Sequence, residues 1–210
     1  MTGSISWVII GVACALALVV GLRPQLTRTR EGKILAFLAL FIMPAMTLVM
    51  GFSEHMEHAT STKFCLSCHV MHDYGQSLLI DDPSYLPARH FQNNSIPRDR
   101  ACYTCHTTYT MFGDVSAKKR GLRHLWVQYA GTIPRPQDVK LYDPYNNREC
   151  LHCHLGARNF ESASPHNKTA DILTNAKSGK LSCISAGCHE FIHDVASIKD
   201  QTIWKGATLP

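Results

Sequence analysis

The sequence lacks a sustained excess of charge of either sign. Lys and Arg number 21 against 16 Asp and Glu, for a net charge of +5, and no long basic block occurs. Nucleic-acid binding therefore has little support, because proteins that bind nucleic acids concentrate basic residues on one face. The apolar–polar alternation that is typical of β-strands is also scarce. The 210 residues suffice for one or two domains, which we expect to be mainly helical with little regular strand.

Charge is absent altogether from two apolar runs near the N-terminus. They cover residues 5–22 and 34–52, and each is close to the ~20 residues that a helix needs to cross a bilayer core of ~30 Å. The first run could instead be a signal peptide, but no basic residue precedes it and no small-residue cleavage site follows it before Arg23. We therefore expect residues 1–52 to form a retained transmembrane helical hairpin.

The loop between the two runs predicts how this hairpin is oriented. Residues 23–33 carry four basic side chains against the single acidic Glu31. By the positive-inside rule this loop is cytoplasmic. Both ends of the hairpin then lie on the periplasmic or external side of the cell inner membrane, together with a second domain, residues 53–210.

The nine cysteines show the strongest pattern in the sequence. One, Cys14, lies in the first apolar run, and the other eight form four pairs, each followed directly by histidine. In chain order these motifs are Cys65, Cys68 and His69; Cys102, Cys105 and His106; Cys150, Cys153 and His154; and Cys183, Cys188 and His189. The first three have the form Cys-x-x-Cys-His, and the fourth has four spacer residues.

Three kinds of chemistry use paired cysteines. A disulfide scaffold and a zinc site both remain possible, but neither requires a histidine after every second cysteine. Covalent attachment of c-type haem does require it, because the two thiols form thioethers to the haem and the histidine ligates its iron. We therefore predict four covalently bound haem c groups. The predicted topology agrees, since it puts the motifs on the side where c-type haem is attached.

Eight histidines lie outside the attachment positions, more than a chain of this size normally carries. A haem that transfers electrons needs a second strong axial ligand, usually His or Met. The best candidates lie in the haem region but away from the motifs; they are His90, His124, His166 and His193. At the first motif, His72 competes with Met71.

These features together resemble a known family, the NapC/NirT/NrfH-type membrane-anchored multihaem cytochromes c, which are quinol dehydrogenases. The resemblance covers about residues 60–195. It depends on the form Cys-x-x-Cys-His-x-Met just past an apolar run and on histidines before the second pair and after the fourth. The matching segments are residues 65–71, His90, residues 122–124, 131–133 and 148–150, and His193.

The resemblance implies specific iron ligands. Met71 rather than His69 would be the axial ligand of haem 1, whose other face would lie close to a quinol pocket, and His69 would only complete the attachment motif. The alternative, in which Met71 fills the core and His69 ligates the iron, stays open. The resemblance further assigns His124 to haem 3, His90 to haem 4, and His193 or His166 to haem 2.

The resemblance also implies a function in respiratory electron transport. The chain would take electrons from a membrane quinol such as menaquinol at haem 1 and pass them to a periplasmic or membrane redox partner, as part of a complex. The proposed quinol-site candidates are Asp114, Lys118 and His72, with Lys119 and Asp73 as further ones. The alternative is an electron-transfer subunit of a larger membrane complex that has no quinol site of its own.

Four features depart from the family pattern, and one of them is the tail after the last motif. The sequence has two apolar runs where one anchor is usual, and the fourth motif has a longer spacer. Tyr109 stands where a histidine is common, three residues after the second motif. No Cys-x-x-Cys-Lys motif of the kind found in multihaem nitrite reductases occurs. The departures concern the partner and the quinol pocket rather than the number of haems.

Overall fold

The computed structural model describes residues 2–210, with side chains described from Trp7 onward. The chain divides into two compact units, residues 1–59 and 60–210.

The first unit consists of two long helices. Helix α1 covers Thr2–Leu22, and a 3-10 turn, Pro24–Arg28, leads into a second helix of 29 residues, Arg30–His58. This second helix contains α2 (Arg30–Phe37), a π-helical segment (Leu38–Ile42) and α3 (Met43–His58). Helices α1 and α3 pack against each other.

Local chemistry explains how the second helix begins and where it widens. The hydroxyl of Thr29 accepts a hydrogen bond from the amide of Gly32 at 3.1 Å, an N-cap that satisfies one free donor. Gly32 leaves space for the preceding turn, because a Cβ there would lie 1.5 Å from the Leu26 carbonyl oxygen. The π-helical segment comes just before Pro44, which has no amide proton to continue the regular ladder.

Among residues 2–210, one helix is long and apolar enough to cross a membrane, the helix Arg30–His58. In α1 the corresponding apolar stretch with described side chains is shorter, Trp7–Leu22. The outward side chains of both are apolar, for example Leu18 at 62% and Leu48 at 73% exposure. The expected hairpin is thus supported for its second helix, and the first crossing stays a prediction.

The second unit contains short helices joined by turns. They are α4 (Thr62–Leu66), α5 (His72–Gln76), α6 (Leu86–Gln92), α7 (Ala101–Cys105), α8 (Gly113–Ala130), α9 (Arg148–His154), α10 (Arg158–Glu161) and α11 (Ala170–Ser178). In the described part of the chain there is no strand, only an isolated antiparallel bridge between Ile80 and Ile203. The prediction of a mainly helical protein with little strand is confirmed.

The apolar core of the second unit is small. It consists of Leu78, Leu79, Phe91, Ile96 and Ala101, and residues near the C-terminus pack on it. The terminal segment is held by backbone hydrogen bonds, from Asp81 to the Thr202 carbonyl at 2.8 Å and from Trp204 to the Leu79 carbonyl at 2.7 Å. So small a core is expected where large prosthetic groups supply much of the interior.

Candidate haem sites

The four motifs lie on short helices and turns of the second unit. The first spans the end of α4 and a 3-10 turn, His69–Met71, while α7 and α9 carry the second and third. The fourth, with its longer spacer, forms an irregular turn in which Gly187 has a φ of +78°, a conformation that glycine adopts without strain.

Three motif histidines each face a histidine from elsewhere in the chain. The ring centres of His106 and His193 are 6.3 Å apart. Those of His154 and His90 are 6.0 Å apart, as are those of His189 and His166. A metal–imidazole bond is about 2 Å long and the ring centre lies roughly 1 Å beyond, so two imidazoles on one metal have centres about 6 Å apart. The three pairs therefore fit haem irons held between two histidines.

The hydrogen bonds of the three non-motif histidines support the same arrangement. The Nδ1 atoms of His90 and His166 bond the carbonyls of Leu86 at 2.8 Å and Phe160 at 2.9 Å. The Nδ1 of His193 bonds the hydroxyl of Ser77 at 2.7 Å, and that hydroxyl donates to the Tyr74 carbonyl at 2.7 Å. A proton held on Nδ1 leaves Nε2 free with its lone pair, as an iron ligand requires.

Burial also favours neutral imidazoles at these positions. It lowers the pKa of His193 to about 4, with the nearby His106 as a second cause. The pKa values of His106, His154 and His189 are lowered as well, in each case first by burial. Only a neutral imidazole can ligate a metal, so the lowered pKa values of these four histidines suit a role as iron ligands.

The pairs differ from the haem assignments that the family resemblance implied. His90, expected at haem 4, lies against His154 of the third motif, and His166 takes the place beside His189. His193 lies at the second motif, one of the two options for haem 2. His124, expected at haem 3, instead has Tyr142 as its ring neighbour, with centres 5.3 Å apart. The path of the chain between motifs decides these pairs, and sequence spacing does not report it.

The first and second motifs are held together by direct contacts. The side chains of Cys65 and Cys102 lie close to each other. Next to them, the hydroxyl of the fully buried Thr62 donates to the Arg98 carbonyl at 2.8 Å and accepts from the Ala101 amide at 2.8 Å. One buried side chain thus joins helix α4 to the start of α7.

The third and fourth motifs are joined in the same way. The side chains of Cys150 and Cys183 lie close to each other. The amide group of the buried Asn147 donates to the carbonyls of Ala176 at 2.8 Å and Leu181 at 2.6 Å. Its oxygen accepts from the Cys183 amide at 3.0 Å. Asn147 therefore fixes the start of α9 against the fourth motif.

Aromatic contacts connect the second motif to the third. The ring of Tyr109, which replaces the histidine of the family pattern, stacks on His152 with centres 3.7 Å apart. The Tyr145 hydroxyl donates to the Cys105 carbonyl at 2.6 Å. With the two junctions above, these contacts place the four motifs in a continuous series that follows their order in the chain.

A polar cluster lies at the second motif, around its spacer residue Tyr103, and close to Cys65 of the first motif. The Tyr103 hydroxyl donates to the Asp114 carboxylate at 2.9 Å, and the Lys118 ammonium lies 4.9 Å from the centre of the same ring. Partial burial lowers the pKa of Lys118, and Cys65 is close enough to act on it electrostatically. The structure thus brings Asp114 and Lys118 together. The third candidate, His72, instead has its Nδ1 atom 3.5 Å from the Oδ1 atom of its neighbour Asp73.

Three buried residues that contact the motifs were not identified from the sequence. Ser77 holds His193, while Thr62 and Asn147 hold pairs of motifs together. Short polar residues of this kind are common in turns and at helix ends, so nothing in the sequence sets them apart. Met71 and His69 at the first motif differ in exposure: Met71 is half-buried and His69 is exposed.

Comparisons with known proteins agree with this geometry. The cytochrome c-type protein NapC of Escherichia coli K12 is 26% identical, with 68% of this chain and 72% of that protein covered. The denitrification system component NirT of Stutzerimonas stutzeri is 25% identical with the same coverage. The NapC protein of Paracoccus pantotrophus is 31% identical over 40% of this chain and 32% of its own length. No solved structure matches the chain significantly.

The family comparison covers most of the sequence. Residues 27–198 match the model of the NapC/NirT cytochrome c family, N-terminal region. The protein therefore belongs to the NapC/NirT cytochrome c family, and it is a membrane-anchored c-type cytochrome of electron transfer with covalently bound haem c.

Proposed function

We propose that this protein takes electrons from a membrane quinol near the first motif and relays them through four haems to a redox partner on the periplasmic side. The observation that carries this proposal is the continuous series of motifs, with the cluster of Asp114, Tyr103 and Lys118 where the first and second motifs meet. A series of closely spaced carriers suits electron relay. An acid and an ammonium group near the start of this series suit an oxidation that also releases protons.

The proposed haem ligands follow from the histidine pairs. His106 and His193, His154 and His90, and His189 and His166 would hold three irons, and the eight motif cysteines would form the thioether links. Each haem, when bound, supplies one-electron redox chemistry at its iron. The side chains hold each iron in one geometry and exclude water from it. His124 lies close enough to His106 to lower the pKa of that histidine, and we propose it as an iron ligand from the family resemblance.

At the first motif we propose Met71 as the axial ligand. No histidine pair of the kind seen at the other three motifs is found there among the described residues. Met71 is half-buried, which suits an inward ligand, and the exposed His69 would then serve only in attachment. A ligand set unlike the other three would distinguish the entry site electronically from the relay, because axial ligands tune reduction potential.

We propose that the cluster on α8 accepts the protons that quinol oxidation releases. Quinol oxidation releases two protons for every two electrons, so a base must lie within reach of a quinol hydroxyl. We propose the Asp114 carboxylate as that base, oriented by the hydrogen bond from Tyr103. Lys118, whose pKa is lowered by partial burial, would orient a quinol oxygen. His72 remains a further candidate.

The membrane arrangement is proposed as follows. Both N-terminal helices cross the inner membrane, with residues 23–33 on the cytoplasmic side, and the haem domain lies on the periplasmic side. The basic loop supports this orientation, and the exposed apolar side chains of α1 and α3 support burial in lipid. Residues 1–52 would then serve as anchor and residues 53–210 as electron carrier, in complex with a redox partner.

The direct test is quinol oxidation by the purified, haem-loaded chain in detergent or nanodiscs. We expect a menaquinol analogue to reduce the haems, and an inhibitor of quinone sites to block the reduction. Haem reduction by dithionite but not by the quinol would reject the quinol site. It would favour the alternative, a carrier subunit that receives its electrons from another protein.

Replacing Met71 by alanine should change the visible spectrum of one haem and slow quinol oxidation, because the entry iron loses its axial ligand. The matched control is Met111→Ala, since Met111 is 91% exposed. Visible spectra and quinol-dependent reduction rates measure the effect. If spectrum and rate are both unchanged in the Met71 variant, Met71 is not the ligand.

Replacing Asp114 by asparagine should lower the rate of quinol oxidation at neutral pH by about 10²-fold or more, the usual contribution of a positioned general base. The change keeps the size of the side chain and removes only the proton acceptor. Asp171→Asn, on the exposed start of α11, is the control. A normal rate with intact haem spectra would remove Asp114 from the site.

A further inference from the structure

Helix α8 carries an apolar surface that the second unit does not cover. We call it the apolar stripe: Val115, Leu122, Leu125, Trp126 and Tyr129, whose side chains are 52–84% exposed. Their spacings of three, four and seven residues place them on one side of the helix. A continuous exposed apolar face of this kind marks a contact surface more often than a free one.

The other side of α8 faces the rest of the unit. The ring of His124 lies beside Tyr142, and the guanidinium of Arg123 lies 4.2 Å from the centre of the same tyrosine ring. At the N-terminal half of the helix, Lys118 lies on the same side as the stripe and contacts the ring of Tyr103. The C-terminal half is docked through the side that carries Arg123 and His124, and the side chains of the apolar stripe are more than half exposed.

A basic groove follows one flank of the stripe. It has a volume of about 530 Å³ and is lined by Ser116, Lys119, Arg120, Arg123, Tyr142 and Asp143. Its one carboxylate, on Asp143, lies 3.7 Å from the Arg120 guanidinium. Three cationic side chains against one carboxylate leave the groove positive, and it therefore attracts anions.

We propose that α8 lies in the membrane–water interface, with its apolar stripe at the acyl chains and its basic groove on the phosphates of anionic phospholipids. An apolar side with tryptophan and a flank rich in Lys and Arg are the marks of an interfacial helix. Trp126 and Tyr129 are the residue types that prefer this depth of a bilayer. The apolar stripe and the basic groove together match a phospholipid, which has both acyl chains and an anionic phosphate.

The connection to the anchor favours lipid over a protein partner. Helix α3, the end of the membrane-crossing segment, finishes at His58, and α4 begins at Thr62. Only three residues separate them, so the second unit is tethered permanently within a short distance of the bilayer. The proposal depends on this anchor but not on quinol oxidation, and each is tested separately.

Photo-crosslinking of the haem-loaded full chain tests the proposal. The chain is placed in nanodiscs of equimolar phosphatidylglycerol and phosphatidylcholine, with benzoylphenylalanine replacing Tyr129 or, as control, the exposed Asp171 of α11. Mass spectrometry identifies the adducts. We expect lipid adducts at position 129 and none at 171, with phosphatidylglycerol favoured by about fivefold for each engaged basic side chain.

Charge removal tests the groove. The double change Lys119→Gln with Arg123→Gln should bring the adduct ratio at position 129 close to the bulk lipid ratio. The same change at the exposed Lys180 and Lys199 should leave it unaltered. If the groove variant loses its haem spectrum, the comparison of positions 129 and 171 in the otherwise native chain still decides whether the apolar stripe contacts lipid.

Several results would overturn the proposal. They are the absence of lipid adducts at 129, adducts to another polypeptide in place of lipid, and an anionic preference that survives loss of both groove charges. A change in the visible haem spectrum on Tyr129→Ser would also overturn it, because the stripe would then contact a haem.

Discussion

Replacing His193 by alanine should convert one haem of the chain from a low-spin to a high-spin form and stop most electron flow beyond it. The His193 ring faces His106 at 6.3 Å, a separation that fits two imidazoles on one iron. Loss of one ligand should shift the reduction potential of that haem by on the order of 100 mV, within the ~0.8 V range that axial ligands command. Redox titration with visible and electron paramagnetic resonance spectra measures both changes.

The expected effect is large because the His193 ring is fixed in its position opposite His106. His193 is held by the buried Ser77, whose hydroxyl is fixed in turn by the Tyr74 carbonyl. The control is His152→Ala: this histidine lies between two haem-attached cysteines and stacks on Tyr109. It should leave the spin states unchanged. A His193 variant whose haems all stay low-spin would show that this ring pair is not a ligand pair.

The number of candidate ligands could be predicted from the sequence, but their partners could not. The motifs can be read directly from the sequence, because attachment chemistry fixes their spacing. The surplus of histidines can be counted there as well. Pairing depends on chain path instead. His90 precedes the second motif by few residues, yet it lies beside His154 of the third. His193 follows the fourth motif, yet it lies beside His106 of the second.

The sequence also predicts a helix over residues 116–129, and the structure extends it to Gly113–Ala130. Its start was less predictable. A Cβ at Gly113 would lie 1.5 Å from the Thr108 carbonyl oxygen, so the turn entering the helix requires glycine there. That constraint arises from a contact made only in the folded chain. The same holds for Thr62 and Asn147, whose roles depend on main-chain groups distant in sequence.

Replacing Asn147 by aspartate should destabilise the second unit by about 3 kcal/mol or more, since two buried hydrogen bonds are lost and a carboxylate faces two carbonyls. The side chain keeps its shape, and the bond from the Cys183 amide to its oxygen can persist. The bonds to the Ala176 and Leu181 carbonyls cannot, because a carboxylate has no proton to donate. The junction of the third and fourth motifs should therefore loosen first.

Chemical denaturation followed by the loss of low-spin haem absorbance measures this effect, since unfolding separates the distal histidines from the covalently attached haems. The matched control is Asn93→Asp at the exposed end of α6, where the side chain donates one bond to the Arg89 carbonyl at 2.9 Å. A change of at most about 0.5 kcal/mol is expected there, as for most surface positions.

Equal losses in the two variants would mean that Asn147 does not hold the motifs together. A larger loss at Asn147, with the absorbance of the haems at the third and fourth motifs lost before that of the other haems, would locate the effect at their junction.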